Sequence, residues 1–207
     1  MAPNLAASLR LMLVTDDVLL GVRDLVATCR AAVAGGVSCV ELRDKRLPVR
    51  ERLARARALV AALPVPVLIN DRLDLALAAG AAGVHLGPED LPVRLARRVA
   101  PPGFLIGASV GTSEEVAGGQ EADYWGIGPW RGSPTKPEAG AALGSEGFAR
   151  LRALAGARPC LAIGGVTPED VPAIRAAGGS GVAVVSGILD AADVSAAARR
   201  YARALAD

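Results

Sequence analysis

Short apolar runs rich in Val, Ile and Leu recur along the chain, and each is followed by a stretch where apolar residues return every three or four positions. The short runs are LMLVTD (11–16), VSCVELRD (37–44), VPVLIND (65–71), GVHLG (83–87), FLIGASV (104–110), DYWGIGP (123–129), PCLAIGG (159–165) and GVAVVSG (181–187). Their length and β-branched content predict buried strands. The intervening stretches 21–34, 48–63, 72–79, 91–100, 112–118, 145–155, 168–177 and 193–206 carry helical period. In 48–63, Val49, Leu53, Ala56, Val60 and Leu63 are expected on one face, with Arg50, Arg52, Arg55 and Arg57 turned away from it. Eight strand–helix units in tandem predict an α/β fold of the TIM-barrel, (β/α)8, class. The alternative is a doubly wound open sheet, which usually needs fewer strands. With 207 residues the chain is near the lower size limit for the barrel, so its loops must be short, and 1–207 is expected to form one domain.

The punctuation agrees with this division. Gly80 and the Gly178–Gly179 pair suit helix C-caps. Thr167-Pro168-Glu169 reads as an N-cap, a proline at the first helical position and an early acid. One connection stands out: 130–144, WRGSPTKPEAGAALG, is longer than a normal strand-to-helix loop and is expected to be a functional loop or lid.

Composition narrows the function classes. A chain that is 52% hydrophobic and 21% charged buries a large core and is not a disordered tail. A 3% aromatic content argues against a surface for stacking bases, and a net charge of +2 mixed along the chain forms no basic block, so nucleic acid is not an expected partner. The apolar runs are too short to span a membrane, and the start lacks the pattern of a signal peptide. Three cysteines without metal-type spacing (Cys29, Cys39, Cys160) suit core positions in a reducing compartment, which points to the cytoplasm. The oligomeric state is not set by the sequence, and a homo-oligomer is compatible with it.

Candidate chemistry lies where the apolar runs end. Of 23 basic residues only Lys45 and Lys136 are lysines, and each sits just past such a run. Lysine offers a compact ammonium and arginine a rigid fork, so the two are not interchangeable at a tight site. Asn70, one of two asparagines, also ends a run, beside Asp71. In a barrel, strand C-termini carry the chemistry. Those ends hold Asp16, Asp17, Glu41, Arg43, Lys45, Asn70, Asp71, Asp90, Ser109, Gly164, Gly165 and Ser186. Asp71 and Asp90 follow successive strands and suit a shared Mg²⁺, which takes one or two carboxylates plus substrate phosphate; each also suits the cap of the next helix. Gly164–Gly165 suits backbone binding of a phosphate, or a simple turn. The inventory thus describes two anion subsites for small phosphorylated substrates. His85, inside the fourth run, reads as a structural, hydrogen-bonded imidazole.

The motifs ELRDK (41–45), LINDRLDLALAAGAAGVHLGPEDLP (68–92), IGASVGT (106–112), ADYWGIGP with SPTK (122–136) and AIGG with GVAVVSGI (162–188) together resemble the thiamine phosphate synthase and thiazole tautomerase family over nearly the whole chain. The resemblance implies coupling of a hydroxymethylpyrimidine diphosphate to a thiazole phosphate, with release of pyrophosphate and with Mg²⁺ as cofactor. It implies that Arg43, Lys45, Asn70 and Lys136 hold the diphosphate and that Asp71 and Asp90 bind the metal. Glu41 and Ser109 would face the pyrimidine. Ser133, Thr135, Gly165, Val185 and Ser186 would take the thiazole phosphate. The chain departs from the family pattern at Glu41, often Gln; at Pro88, often Gln; at Gly111, commonly His; and at Gly132, where Pro is usual. The alternatives are the tautomerase of the same family, which uses a His at the position of Gly111, and a catalytically weak homologue that only binds a phosphorylated ligand.

Overall fold

The repeating units close into a ring. The computed structural model describes residues 5–132 and 140–206. Its strands are β1 (Leu11–Val14), β2 (Cys39–Leu42), β3 (Val67–Asn70), β4 (Gly83–Leu86), β5 (Leu105–Val110), β6 (Tyr124–Ile127), β7 (Cys160–Ile163) and β8 (Gly181–Val184). They pair in sequence order as a closed parallel barrel. The seam is sealed by β8 against β1, with Leu11 opposite Val182 and Leu13 opposite Val184. This is the (β/α)8 barrel expected from the sequence, and the open-sheet alternative falls with the closure.

Each strand is short and almost wholly apolar because both of its faces are buried. One face meets the helices; there Leu13, Val40, Ile69, Val84, Ile106, Trp125, Ala162 and Val184 join the larger core. The alternate positions point into the barrel, where Met12, Val14, Cys39, Leu68, Tyr124, Leu161 and Ala183 form a second core. Leu9, completely buried, follows the short α1 (Leu5–Ser8) and packs into this inner core.

The outer helices are α2 (Asp17–Leu20), α3 (Leu25–Ala34), α4 (Val49–Ala62), α5 (Leu73–Ala79), α6 (Val93–Val99), α7 (Gly144–Ala153), α8 (Val171–Ala176), α9 (Ser186–Leu189) and α10 (Val194–Ala206). Gly80 caps α5 in the left-handed conformation, with φ 67°. Thr167 and Asp170 form a reciprocal capping box at the 3₁₀ turn Pro168–Asp170 that leads into α8.

Three expectations change. No helix forms over 112–118; turns fill the connection from β5 to β6. There the Glu115 carboxylate takes the N–H groups of Gly111 and Thr112, and the Gly119 carbonyl accepts the indole N–H of Trp125. These local bonds, with glycine at 118 and 119, compete with a helical ladder. In α4 the buried residues are Ala56 and Leu59, while Val49 is exposed. Arg52 and Arg55 are not turned away: they reach back to the β2–α4 loop, where Arg52 donates to the carbonyls of Asp44 and Leu47 and Arg55 pairs with the Asp44 carboxylate. The short α1, α2 and α9 each span four residues, too few to show a period in sequence.

Where β4 passes β5 there is no room for a side chain. A Cβ added to Gly83 would lie 2.2 Å from the Leu105 carbonyl oxygen. Gly83→Ala should therefore lower stability by about 1–3 kcal/mol, read as a lower urea midpoint with an unchanged slope.

Candidate active site

A cavity of about 440 Å³ opens at the C-terminal ends of the strands. Its floor is the apolar interior: Met12, Val14, Tyr124, Leu161, Ile163 and Ala183. Its walls carry Asp16, Glu41, Arg43, Asn70, His85, Ser109 and Glu115. The parallel arrangement brings this about, since eight C-termini facing one way collect the polar residue at the end of each strand onto one rim.

On the β1–β4 side the rim is charged and internally paired. Asp16 is buried; one carboxylate oxygen caps α2 through the N–H groups of Val18 and Leu19, and the other accepts from the Arg43 guanidinium at 2.7 Å. Thr15 fixes the Arg43 backbone from β1, its hydroxyl oxygen accepting the Arg43 N–H at 3.0 Å. Lys45 lies 3.5 Å from the Asp71 carboxylate and is half exposed, so its ammonium is free to exchange that partner for an incoming anion. Asp71 is the one non-glycine residue with a left-handed backbone among the described residues, with φ 64°. Asp tolerates that region better than most residues, and such conformations cluster at functional sites. Its N–H donates to the His85 carbonyl at 2.8 Å, which ties the end of β3 to β4.

Neither metal candidate caps a helix. The N-cap positions are Arg72 for α5 and Pro92 for α6, neither making a side-chain cap bond, and the Asp90 carboxylate turns back to accept the Gly87 N–H at 2.7 Å. Burial raises the Asp90 pKa above the usual carboxylate value; the Gly87 N–H lowers it, the Asp71 carboxyl within hydrogen-bonding range raises it, and Lys45 lowers it, with the balance upward. Two carboxylates pressed together at a half-buried rim are an arrangement that a hard cation would relieve. Among the described residues no group of three or more His, Cys, Asp and Glu side chains converges. A cation here would draw its remaining oxygens from water and substrate, which suits Mg²⁺.

Across the ring, the β7–β8 corner is made of backbone. Gly164 and Gly165 have φ 92° and 65°, which no Cβ-bearing residue adopts readily. At Gly164 a Cβ would also lie 2.8 Å from Pro129. The turn is stapled to the start of the long 130–144 connection: Trp130 N–H donates to the Ile163 carbonyl at 2.7 Å and Arg131 N–H to the Gly164 carbonyl at 2.8 Å. On the return, Leu143 and Gly144 N–H groups donate to the carbonyls of Pro129 and Trp130. Arg131 also pairs with buried Asp170. After β8, Val185 leads into α9, which starts at Ser186.

Of the residues singled out from sequence, Glu41, Arg43, Asn70, Ser109, Gly165, Val185 and Ser186 line the cavity. Lys45, Asp71 and Asp90 form a group at its edge, next to the lining residues Asn70 and Pro88. Ser133, Thr135 and Lys136 lie outside the described residues. Sequence reasoning missed Glu115, and it noted Asp16 without seeing its pairing with Arg43. His85 is hydrogen-bonded as expected, but it also faces the cavity: Nδ1 is 2.9 Å from the Tyr124 hydroxyl and Nε2 is 2.9 Å from the Ser109 hydroxyl.

Comparison with known proteins gives this geometry a family. Residues 11–188 match the family model described as thiamine monophosphate synthase. The chain is 46% identical over 196 residues to a thiamine-phosphate synthase of Azorhizobium caulinodans, covering 92% of each. It is 45% identical over 194 residues to one of Methanoculleus marisnigri, covering 91% of this chain and 92% of that protein. Among solved structures, thiamine phosphate pyrophosphorylase from Pyrococcus furiosus superposes with a TM-score of 0.87 at 32% identity, covering 98% of both chains. The 3-hexulose-6-phosphate synthase of Salmonella typhimurium, with TM-score 0.75 and 19% identity over 95% of this chain and 98% of that one, shares the fold alone. A barrel whose rim holds paired carboxylates and a lysine opposite a double-glycine corner, matched over most of its length by these relatives, belongs to the thiamine monophosphate synthase family.

Proposed function

We propose that this transferase couples a hydroxymethylpyrimidine diphosphate to a thiazole phosphate, giving thiamine phosphate and pyrophosphate with Mg²⁺, within a single barrel domain. The observation that carries the reading is the Lys45–Asp71–Asp90 group at one edge of a cavity with an apolar floor. Charge is concentrated where a diphosphate would depart, and the cavity floor beneath it is apolar.

The residues divide the task by chemistry. Asp71 and Asp90 would hold Mg²⁺. When bound, the ion supplies Lewis-acid stabilisation of the charge on the departing diphosphate. Lys45, Arg43, Asn70 and Lys136 would bind the diphosphate oxygens, with Lys45 turning from Asp71 and Arg43 from Asp16 toward the ligand. Glu41 and Ser109 would orient the aminopyrimidine. As the carbon–oxygen bond to the diphosphate breaks, its electron pair leaves with pyrophosphate and the methylene carbon becomes a cation stabilised by the electron-rich ring. The thiazole nitrogen then donates its lone pair to that carbon, forming the thiazolium, so no general base is needed. Gly165 with Val185 and Ser186, joined by Ser133 and Thr135, would hold the thiazole phosphate and aim the nitrogen across the cavity. Leu161, Ile163 and Met12 beneath would keep water from the cation.

The tautomerase reading needs a proton-moving side chain at 111. Gly111 has none, and its N–H is donated to Glu115 at 2.6 Å. Three buried, unpaired cysteines are in keeping with the reducing cytoplasm as its location.

Purified protein given both precursors and Mg²⁺ should form thiamine phosphate, and chelation of the metal should stop it; wild-type protein that makes none, but tautomerises a thiazole carboxylate phosphate, reverses the assignment. Lys136→Ala should lower kcat by at least about 100-fold, the scale of losing one preorganised donor to developing charge. Asp71→Asn should raise the Mg²⁺ concentration needed for half-maximal rate by about tenfold or more while the urea midpoint stays put, because Asn also accepts the left-handed backbone.

A further inference from the structure

The chain has one histidine, and the reaction as proposed assigns it nothing. Yet His85 stands in the cavity wall between two hydroxyls, with Nδ1 2.9 Å from Tyr124 and Nε2 2.9 Å from Ser109. The barrel is built to allow this. Register places Gly107 of β5 between His85 of β4 and Tyr124 of β6. The Tyr124 ring crosses over Gly107, where a Cβ would lie 2.2 Å from its Cζ. Two residues further along β6, on the same inner face, a Cβ at Gly126 would lie 3.2 Å from His85 Cε1. Two missing side chains therefore open a channel for three polar groups, from the sealed interior to the ligand side.

The hydrogens in this row are set from its closed end. Tyr124 is 1% exposed, among Met12, Leu68 and Leu161 of the inner core. Burial, and then the negative charges of Glu41 and Asp123, push its pKa well above the ordinary phenol value, so the hydroxyl keeps its hydrogen. A buried hydroxyl hydrogen needs an acceptor, and the Tyr124 hydroxyl's bond is to Nδ1. An imidazole accepting at Nδ1 carries its hydrogen on Nε2, and Nε2 faces Ser109.

Resting on the synthase reading, we propose that Tyr124 is a positioning residue: by donating to Nδ1 it holds His85 in the Nε2–H form, which donates to the Ser109 oxygen and leaves the serine hydrogen directed at the pyrimidine. Without the phenol both tautomers of His85 become available. In the Nδ1–H form, Nε2 draws the serine hydrogen to itself and away from the ligand.

A single histidine makes the test direct. In protein labelled with ¹⁵N-histidine, at a fixed pH where the ring is neutral, wild type should show an unprotonated Nδ1 and a protonated Nε2. Tyr124→Phe should move both nitrogen shifts toward a mixture of tautomers. Its kcat for thiamine phosphate should fall about tenfold, with KM for the pyrimidine changed by less than about twofold, the scale of one hydrogen bond felt in the transition state. A wild-type ring protonated on Nδ1, shifts unaltered in Tyr124→Phe, or altered shifts with an unaltered kcat would each overturn the proposal. Should the variant fail to fold, the wild-type spectrum still decides the tautomer. Wild-type protein that makes no thiamine phosphate defeats the synthase reading instead, and the nitrogen shifts still judge Tyr124's hold on the ring.

Discussion

Closure of the sheet is the constraint on which the rest depends. Once β8 hydrogen-bonds to β1, no strand has a free edge, and because all the pairings are parallel the eight C-termini fall at one end. Strand ends that are far apart in sequence then become neighbours on one rim. Lys45 from the end of β2 meets Asp71 from the end of β3, and Asp71 meets Asp90 beyond β4. No local preference would assemble that group. It exists because three consecutive strands are held side by side in register.

The same closure imposes a shortage of space inside, and the chain meets it with glycine. A cylinder this narrow cannot take a large side chain from every inward position. Gly107 and Gly126 surrender their share so that Tyr124 and His85 can lie across the middle. The interior is thus apolar below and polar toward the cavity, with the tyrosine hydroxyl at the boundary. The rim shows the complementary economy of charge: Arg43 is engaged by Asp16, and Lys45 by Asp71.

Much of this was legible in the sequence because parallel strands buried on both faces leave an unmistakable apolar run, and a polar residue ending such a run has few places to go. Asn70, Asp71, Lys45 and Asp90 were all visible in that way. What stayed hidden depends on register or on rivalry between local bonds. The Tyr124–His85–Ser109 row requires knowing that Gly107 falls between β4 and β6. The helix expected at 112–118 is displaced by turns in which the Glu115 carboxylate takes two backbone N–H groups, and no pattern of hydrophobicity announces that. Arg52 and Arg55 looked like a solvated face, yet their length lets them brace the loop that carries Lys45. Scarcity of lysine drew attention to 136, which lies outside the described residues.

The stem of the 130–144 connection has a mechanical corollary. Its outgoing strand is laced to the Ile163–Gly164 backbone, and its incoming strand is laced to Pro129 and Trp130. Gly165 touches Arg131 and Gly132 so closely that even a methyl group would press on them. The double-glycine turn and the root of the connection are therefore one body. A shift of the backbone at Gly164 or Gly165 must carry Trp130 and Arg131 with it, and a shift of Leu143 or Gly144 must pull on the same root.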